Sequence, residues 1–332
     1  MQKIKNTITT IGSITLDVLF YTTNGRVIPN HSDPTCSEYL AFERSAKIRS
    51  DRIFFLPGGG AANAAVTFAR LGLRPTLIGA VGRDAIGKQC IDFLRAEGIG
   101  TMRVQTSARF PTGISFIVNV GKKNDHILFI YRGAAQALVC NRQILSSAKS
   151  PWIYLSSLSG HWIKNMKAIQ AYLNKRQDRR LAWNPGSEQI RSKSAVIRKL
   201  IRRTDVLIVN EDEALELLLR WGRSIPRPGP AKLAKMLHSF GPRMTLVTSG
   251  HRGAHLYDGH TMYFQPAKVG KTVNKTGAGD SFSSGFIAGM ILFTSIRKAL
   301  KLAMYNSASV VTHYGAQTGI LHSRDVRKLK IV

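Results

Sequence analysis

Between residues 152 and 248 the chain repeats one pattern: a short apolar run, a polar break, then an amphipathic stretch. Trp152–Leu158, Arg180–Trp183, Val206–Val209 and Met244–Thr248 read as central strands. Ile163–Lys175, Gln189–Arg202, Ala214–Trp221 and Ala231–Phe240 read as the helices around them. Strands joined through helices run parallel, because the crossover carries the chain back to the edge where it started. Such sheets are covered on both faces and bind ligands beyond the carboxyl ends of their strands. The expected fold is therefore α/β: a doubly wound, mostly parallel sheet sandwiched by helices. Towards the front, Thr7–Phe20 reads as one buried strand ending near Asp17. Segments 36–56 and 112–131 read as strands of a small β-sheet lid, the second a hairpin around Gly121–Asp125. The whole chain, 1–332, is expected to form one domain that includes this lid.

The glycine turns say more about chemistry. Asn274-Lys275-Thr276-Gly277-Ala278-Gly279-Asp280 follows the strand-like run Lys268–Val273 and opens the small, apolar helix Ser281–Phe293. Glycines at such a turn let several backbone N–H groups converge on one point, and the helix adds its positive dipole end. The turn suits an anion. A carboxylate beside a bound phosphate is costly unless it acts, for instance by taking a proton from an attacking hydroxyl, and Asp280 stands at that place. The competing reading is a structural turn with Asp280 as a helix cap. Earlier in the chain, Gly58-Gly59-Gly60 precedes an Ala-rich helix stopped by Gly72, with Asn63 in its first turn. That turn lacks both the Lys-Ser/Thr ending of a P-loop and the spacing of a dinucleotide fingerprint.

Composition narrows the partners. No run of about 18 apolar residues is present, so no membrane span is expected. Cys36, Cys90 and Cys140 are sparse and lack metal-like spacing, which suggests a reducing, cytoplasmic setting. The 48 Lys and Arg against 19 Asp and Glu give a net charge of +29. The basic residues are spread along the chain, however. The densest run, Lys175–Arg203, lacks interleaved aromatic residues, which argues against a nucleic-acid partner.

Together these residues resemble the PfkB/ribokinase family of carbohydrate and nucleoside kinases. Both signatures of that family are visible: Gly58-Gly59-Gly60-Ala61-Ala62-Asn63-Ala64-Ala65 and Thr276-Gly277-Ala278-Gly279-Asp280. The Gly79-Ala80-Val81-Gly82-Arg83-Asp84-x-x-Gly87 run, Asn210-x-x-Glu213 and Gly315-Ala316-Gln317 match in the family's order, so the resemblance spans about 6–325. It implies a ribokinase-like fold and ATP-dependent phosphorylation of a hydroxymethyl group on a sugar or nucleoside. By resemblance, Asp280 is the base, and Gly277, Ala278 and Gly279 form the anion hole. Glu213, with Asn210 beside it, arranges Mg2+ through water. Asn184, Thr248, Gly250, Gly253 and Gly279 meet the nucleotide, while Asp17, Gly59, Gly60 and Asn63 meet the acceptor. The lid excludes water and, in such proteins, often pairs subunits into a homodimer. Its aromatic residues Phe42, Phe54, Phe116 and Phe129 are candidate pocket walls, and Arg132 a candidate contact for a substrate phosphate.

Two departures stand out. The second signature usually begins with an Asp that helps hold a monovalent cation, and this chain has Asn274 followed by Lys275. Ribokinase proper has a Lys where this chain has Gly60, which puts ribose in doubt as the acceptor. Two further classes compete with the kinase reading. One is a catalytically inactive relative that binds nucleic acid, which the net charge of +29 suggests; the other is a sugar- or nucleoside-binding protein without chemistry.

Overall fold

The computed structural model describes residues 6–29, 38–121, 125–222, 228–268, 270, 272–329 and 331. Its strands are β1 (Thr7–Ile11), β2 (Thr15–Thr22), β3 (Arg26–Pro29), β4 (Glu38–Ala41), β5 (Arg52–Gly58), β6 (Arg74–Gly82), β7 (Gly100–Ser107), β8 (Gly113–Val120), β9 (Asp125–Tyr131), β10 (Trp152–Leu155), β11 (Arg180–Trp183), β12 (Val206–Asn210), β13 (Met244–Thr248), β14 (Ala254–Tyr257) and β15 (Met262–Gln265). Helices of eight residues or more are α1 (Gly60–Arg70), α2 (Ala85–Ala96), α3 (Trp162–Asn174), α4 (Ala195–Arg202), α5 (Glu211–Arg220), α6 (Pro230–His238), α7 (Ala278–Phe293) and α8 (Ile296–Val310).

Nine strands form one sheet in the order β15-β14-β13-β12-β11-β10-β1-β6-β7. From β13 to β7 every neighbouring pair is parallel, and only β14 and β15 run antiparallel. Side chains alternate between its faces. In β12, Leu207 and Val209 join a core with Trp183, Met166, Ile197, Leu217 and Leu233, under α3 to α6. Val206 and Ile208 join another with Phe68, Tyr154, Phe286 and Ala303, under α1, α7 and α8. Central strands with two buried faces account for the unbroken apolar runs in the sequence.

A second sheet, in the order β5-β2-β8-β9, lies over the carboxyl-end side of the first. Four readings from sequence are corrected here. Thr7–Phe20 is two strands in two sheets. After Ile11 the chain turns through Gly12, at φ 150°, and re-enters the second sheet as β2, which carries Asp17. Within 36–56, Glu38–Ala41 pairs with β3 in a separate ribbon, and β5 alone joins the second sheet. Gln189–Arg202 breaks into a single turn, Ser187–Ile190, and α4, which starts anew after Ser194 in extended backbone. The described residues of Lys268–Val273 form no strand; the edge hairpin β14–β15 takes that place in the sheet. Cys36 and residues 122–124 of the hairpin turn lie outside the described residues.

Helices α7 and α8 touch backbone to backbone. A Cβ on Gly289 would stand 2.5 Å from Ala299 Cα, and one on Gly285 3.1 Å from Ala303 Cα. Helix propensity alone would make Gly289→Ala stabilising by about 1 kcal/mol. Overpacking costs about 1–3 kcal/mol and wins here, because the obstacle is backbone. Gly289→Ala is expected to lower the urea midpoint of unfolding with an unchanged m-value; a raised midpoint would show that the pair can separate freely.

Candidate active site

The site lies where the two sheets face each other, in a cavity of about 280 Å³. Its acceptor-side wall comes from the break between β1 and β2. Ser13 Oγ accepts a hydrogen bond from Gly60 N–H at 3.1 Å, tying the break to the start of α1. Two residues into β2, the Asp17 carboxylate accepts from Thr15 Oγ1 at 3.0 Å and lies in register with Ser115 of β8. Burial pushes the Asp17 carboxyl up to about 6, against hydrogen bonds from Thr15 and Ser115 that favour the charged form. A Cβ on Gly58 would fall 2.1 Å from Asp17 Oδ2, so the first glycine of that signature makes room for the carboxylate.

Asp280 lies on the same cavity, in the first turn of α7. Its Oδ2 accepts from Asn63 Nδ2 at 2.8 Å. Asn63 Oδ1 in turn accepts from Gln317 Nε2 at 2.7 Å, and the Gln317 carbonyl accepts from Arg70 Nη1 at 2.6 Å. Arg70 is held by Glu97 through two hydrogen bonds, at 2.9 and 2.6 Å. This relay fixes which end of the Asn63 amide meets Asp280. Burial raises the Asp280 pKa, and the Asn63 bond opposes the rise.

The turn before Asp280 has the geometry an anion needs. Gly277 is left-handed, with φ 77°, and its Cβ would lie 2.4 Å from Ala316 Cβ, so only glycine fits. Ala278 N–H donates to Lys275 O at 3.2 Å, and Ser281 N–H to Gly277 O at 2.8 Å. Among the described residues, the N–H groups of Gly279 and Asp280 have no protein acceptor. Two donors therefore stand unpaired at the positive end of a sixteen-residue helix.

The remaining candidates sit at the carboxyl ends of β11, β12 and β13. Asn184 follows β11 and donates through Nδ2 to Ile208 O at 2.9 Å. Asn210 and Thr248 are register partners on β12 and β13. Asn210 Oδ1 accepts from Glu213 N–H at 2.8 Å, and Glu213 Oε2 accepts from Asn210 N–H at 2.9 Å, a reciprocal cap that starts α5. Glu213 is raised by burial first and by the Asp280 charge as well. Asp17, Gly59, Gly60, Asn63, Asn184, Glu213, Gly277 and Asp280 all line the one cavity. Asn210, Thr248, Gly250, Gly253, Asn274, Ala278 and Gly279 lie outside its lining. For Gly253, at φ 107°, the fold itself demands glycine, since a Cβ would meet Gln265 O at 2.2 Å.

The lid aromatic residues are placed differently from their sequence reading. The inner face of the lid carries Asp17, Ser115, Leu128 and Ile130; alternation puts Phe116 and Phe129 on the outer face, where they are exposed. Phe54 packs on Tyr21 and Tyr314, and neither it nor Phe42 lines the cavity. Arg132 does line it. Sequence reasoning missed Ser13, Thr15, Ser115 and Ser156, which carry no motif, and the structural part played by Gln317, whose motif was visible without its partner.

Among the described residues no three His, Cys, Asp or Glu side chains form a closed metal cage. Mg2+ does not need one, because it keeps several waters and binds one or two carboxylates together with substrate phosphates. Glu213 and Asp280 share the cavity, and the Asp280 charge raises the Glu213 pKa, so this donor set fits a divalent cation.

The chain is similar to the ribokinase of Lactococcus lactis, 29% identical over 334 residues and 97% of each chain. Its fold is similar to that of a Methanocaldococcus jannaschii nucleoside kinase, with TM-score 0.76, 22% identity and 97% of each chain covered. It is equally similar to an Arabidopsis thaliana ribokinase complexed with ribose and ATP, with TM-score 0.77, 21% identity and 97% of each chain covered. The model of the pfkB family carbohydrate kinases matches residues 32–323. The chain belongs to the pfkB family of carbohydrate kinases, ATP-binding phosphotransferases that use an alcohol group as acceptor.

Proposed function

We propose that the protein transfers the γ-phosphoryl group of ATP to a primary hydroxymethyl group of a sugar or nucleoside. One observation carries this reading: the Asp280 carboxylate is aimed by Asn63 into the cavity beside two unpaired N–H groups at a helix start. A base and an anion hole at one point suit attack by an alcohol on a phosphoryl group. Asp280 takes the hydroxyl proton. The amides of Gly277, Gly279 and Asp280 itself stabilise the charge on the transferring group; the Ala278 amide contributes less, being already engaged. Asp17 and Asn63 hold acceptor hydroxyls, with Gly59 and Gly60 allowing close approach. Asn184, Thr248, Gly250 and Gly253 form the nucleotide side. Glu213 and Asn210 would hold Mg2+ through water, and the ion would offset phosphate charge. The lid keeps water from competing as acceptor.

The relatives are named for ribose and for nucleosides, and both offer a ring with vicinal hydroxyls. A Cβ at Gly60 would lie 2.2 Å from Ser156 Oγ, so a lysine there would displace that serine; this supports an acceptor other than ribose. The outer lid face exposes Ile53, Phe55, Phe129 and Tyr131, which fits a homodimer formed through the lid. The inactive, nucleic-acid-binding reading has no structural observation in its favour, because the proposed base, its relay and the free amides are all in place.

An ATP-depletion screen over sugars, sugar phosphates and nucleosides identifies the acceptor. With it, Asp280→Asn is expected to lower kcat by about 100- to 10,000-fold while both KM values stay near wild type. Turnover at the wild-type rate would remove Asp280 from the chemistry. Asp17 gives a pH test. Its carboxyl is protonated below about 6, so the acceptor KM is expected to rise as pH falls through that value and to be flat above it. In Asp17→Asn the KM is higher throughout and this inflection is absent; an inflection that persists assigns it elsewhere. Asn274 replaces a cation-holding carboxylate, and its oxygen accepts from Thr276 N–H at 2.8 Å. Exchanging Na+ for K+ is therefore expected to leave steady-state turnover nearly unchanged, and a large stimulation by K+ would contradict that.

A further inference from the structure

Asn274 is only 1% exposed, and both ends of its amide are occupied. Oδ1 accepts from Thr276 N–H at 2.8 Å, inside the phosphate turn. Nδ2 donates to Tyr21 Oη at 2.9 Å, and Tyr21 stands on the inner face of the lid strand β2. The Tyr21 contact joins parts of the chain 253 residues apart. Thr276 N–H can only donate, so it takes Oδ1; Nδ2 is then left to donate, and the tyrosine oxygen is the acceptor it finds.

A second line of contacts runs in parallel. Tyr314 stacks on Phe54 at 4.8 Å and meets Tyr21 edge-on at 5.1 Å, and its hydroxyl accepts from Arg52 Nη1 at 3.0 Å. Phe54 and Arg52 belong to the lid strand β5. Tyr314 leads directly into Ala316, against which Gly277 packs, and Gln317, which orients Asn63. The lid therefore rests on the two segments that shape the turn around Asp280. Burial pushes the Tyr21 phenol up to about 12, so it stays protonated and neutral across the working range.

We propose that Tyr21 is a positioning residue: its hydroxyl, carried by the lid, fixes the Asn274 side chain that orders the Gly277–Asp280 turn. If the lid lifts, Tyr21 Oη leaves and a buried amide loses its acceptor. That loss costs about 1–3 kcal/mol unless Asn274 and the turn rearrange. Lid closure and order at the phosphate site thus stabilise each other, and the linkage is reciprocal. The effect on phosphoryl transfer rests on the kinase reading above, whereas the contact and its effect on the turn do not.

The test is Tyr21→Phe in the full chain, which keeps the ring and removes only the hydroxyl. Hydrogen exchange across residues 274–280 is expected to speed up, with exchange elsewhere unchanged and the melting temperature lowered by no more than a few degrees. The affinity for a non-hydrolysable ATP analogue, measured by calorimetry without acceptor, is expected to fall about 5- to 100-fold. Unchanged exchange at 274–280 in Tyr21→Phe overturns the proposal. Faster exchange throughout the molecule also overturns it, since that marks a merely structural role. The exchange readout needs no turnover, so it stands or falls apart from the catalytic assignment.

Discussion

The hydrogen bond from Asn63 to Asp280 is the contact on which the site depends. It joins the first turns of two helices, α1 and α7, that begin from separate glycine turns. A carboxylate next to an anion-binding turn would otherwise be free to swing away from it or to cap its own helix. Asn63 holds it on the cavity side, and Gln317 and Arg70 hold Asn63. The Arg70–Glu97 pair ends this relay, well shielded from water, where such a pair has more effect than one on the open surface. Burial favours the protonated acid and a single hydrogen bond opposes it.

The large sheet supplies the rest of the site by repetition. Asn184, Asn210 and Thr248 come from the carboxyl ends of three neighbouring strands; Asn210 and Thr248 are level with each other, and Asn184 lies level with Ile208, whose carbonyl it meets. The antiparallel hairpin β14–β15 closes that edge, and the backbone squeeze at Gly253 follows from it. Packing by itself therefore demands this glycine, and its presence in the sequence is no evidence for nucleotide binding.

The sequence made the parts with local physical causes legible. Alternating strands and helices imply a parallel sheet, and glycines at strand-to-helix turns imply anion sites. At Gly277 the structure shows the left-handed backbone that only glycine adopts freely. What escaped depends on distance or register. Thr7–Phe20 reads as one continuous β-rich run, so nothing in its pattern marks the change of sheet at Gly12; only the second sheet itself reveals it. Phe116 and Phe129 read as pocket walls because aromaticity is visible, whereas their facing is set by a register that places Asp17 opposite Ser115. Gln317 was visible as a residue, but its partner Asn63 lies 254 positions away.

The covalent path through Gly12 sets a limit on how such a molecule can be rebuilt. The cover over the cavity is woven from three separate stretches, 15–22, 52–58 and 113–131, interleaved with strands of the main sheet. It cannot be cut out or transplanted as a cassette, because every splice point is also a splice point of the floor beneath. Evolution and engineering alike are left to reshape the cover one residue at a time. A new acceptor preference is thus expected to come from point changes on its inner surface rather than from exchange of the whole piece.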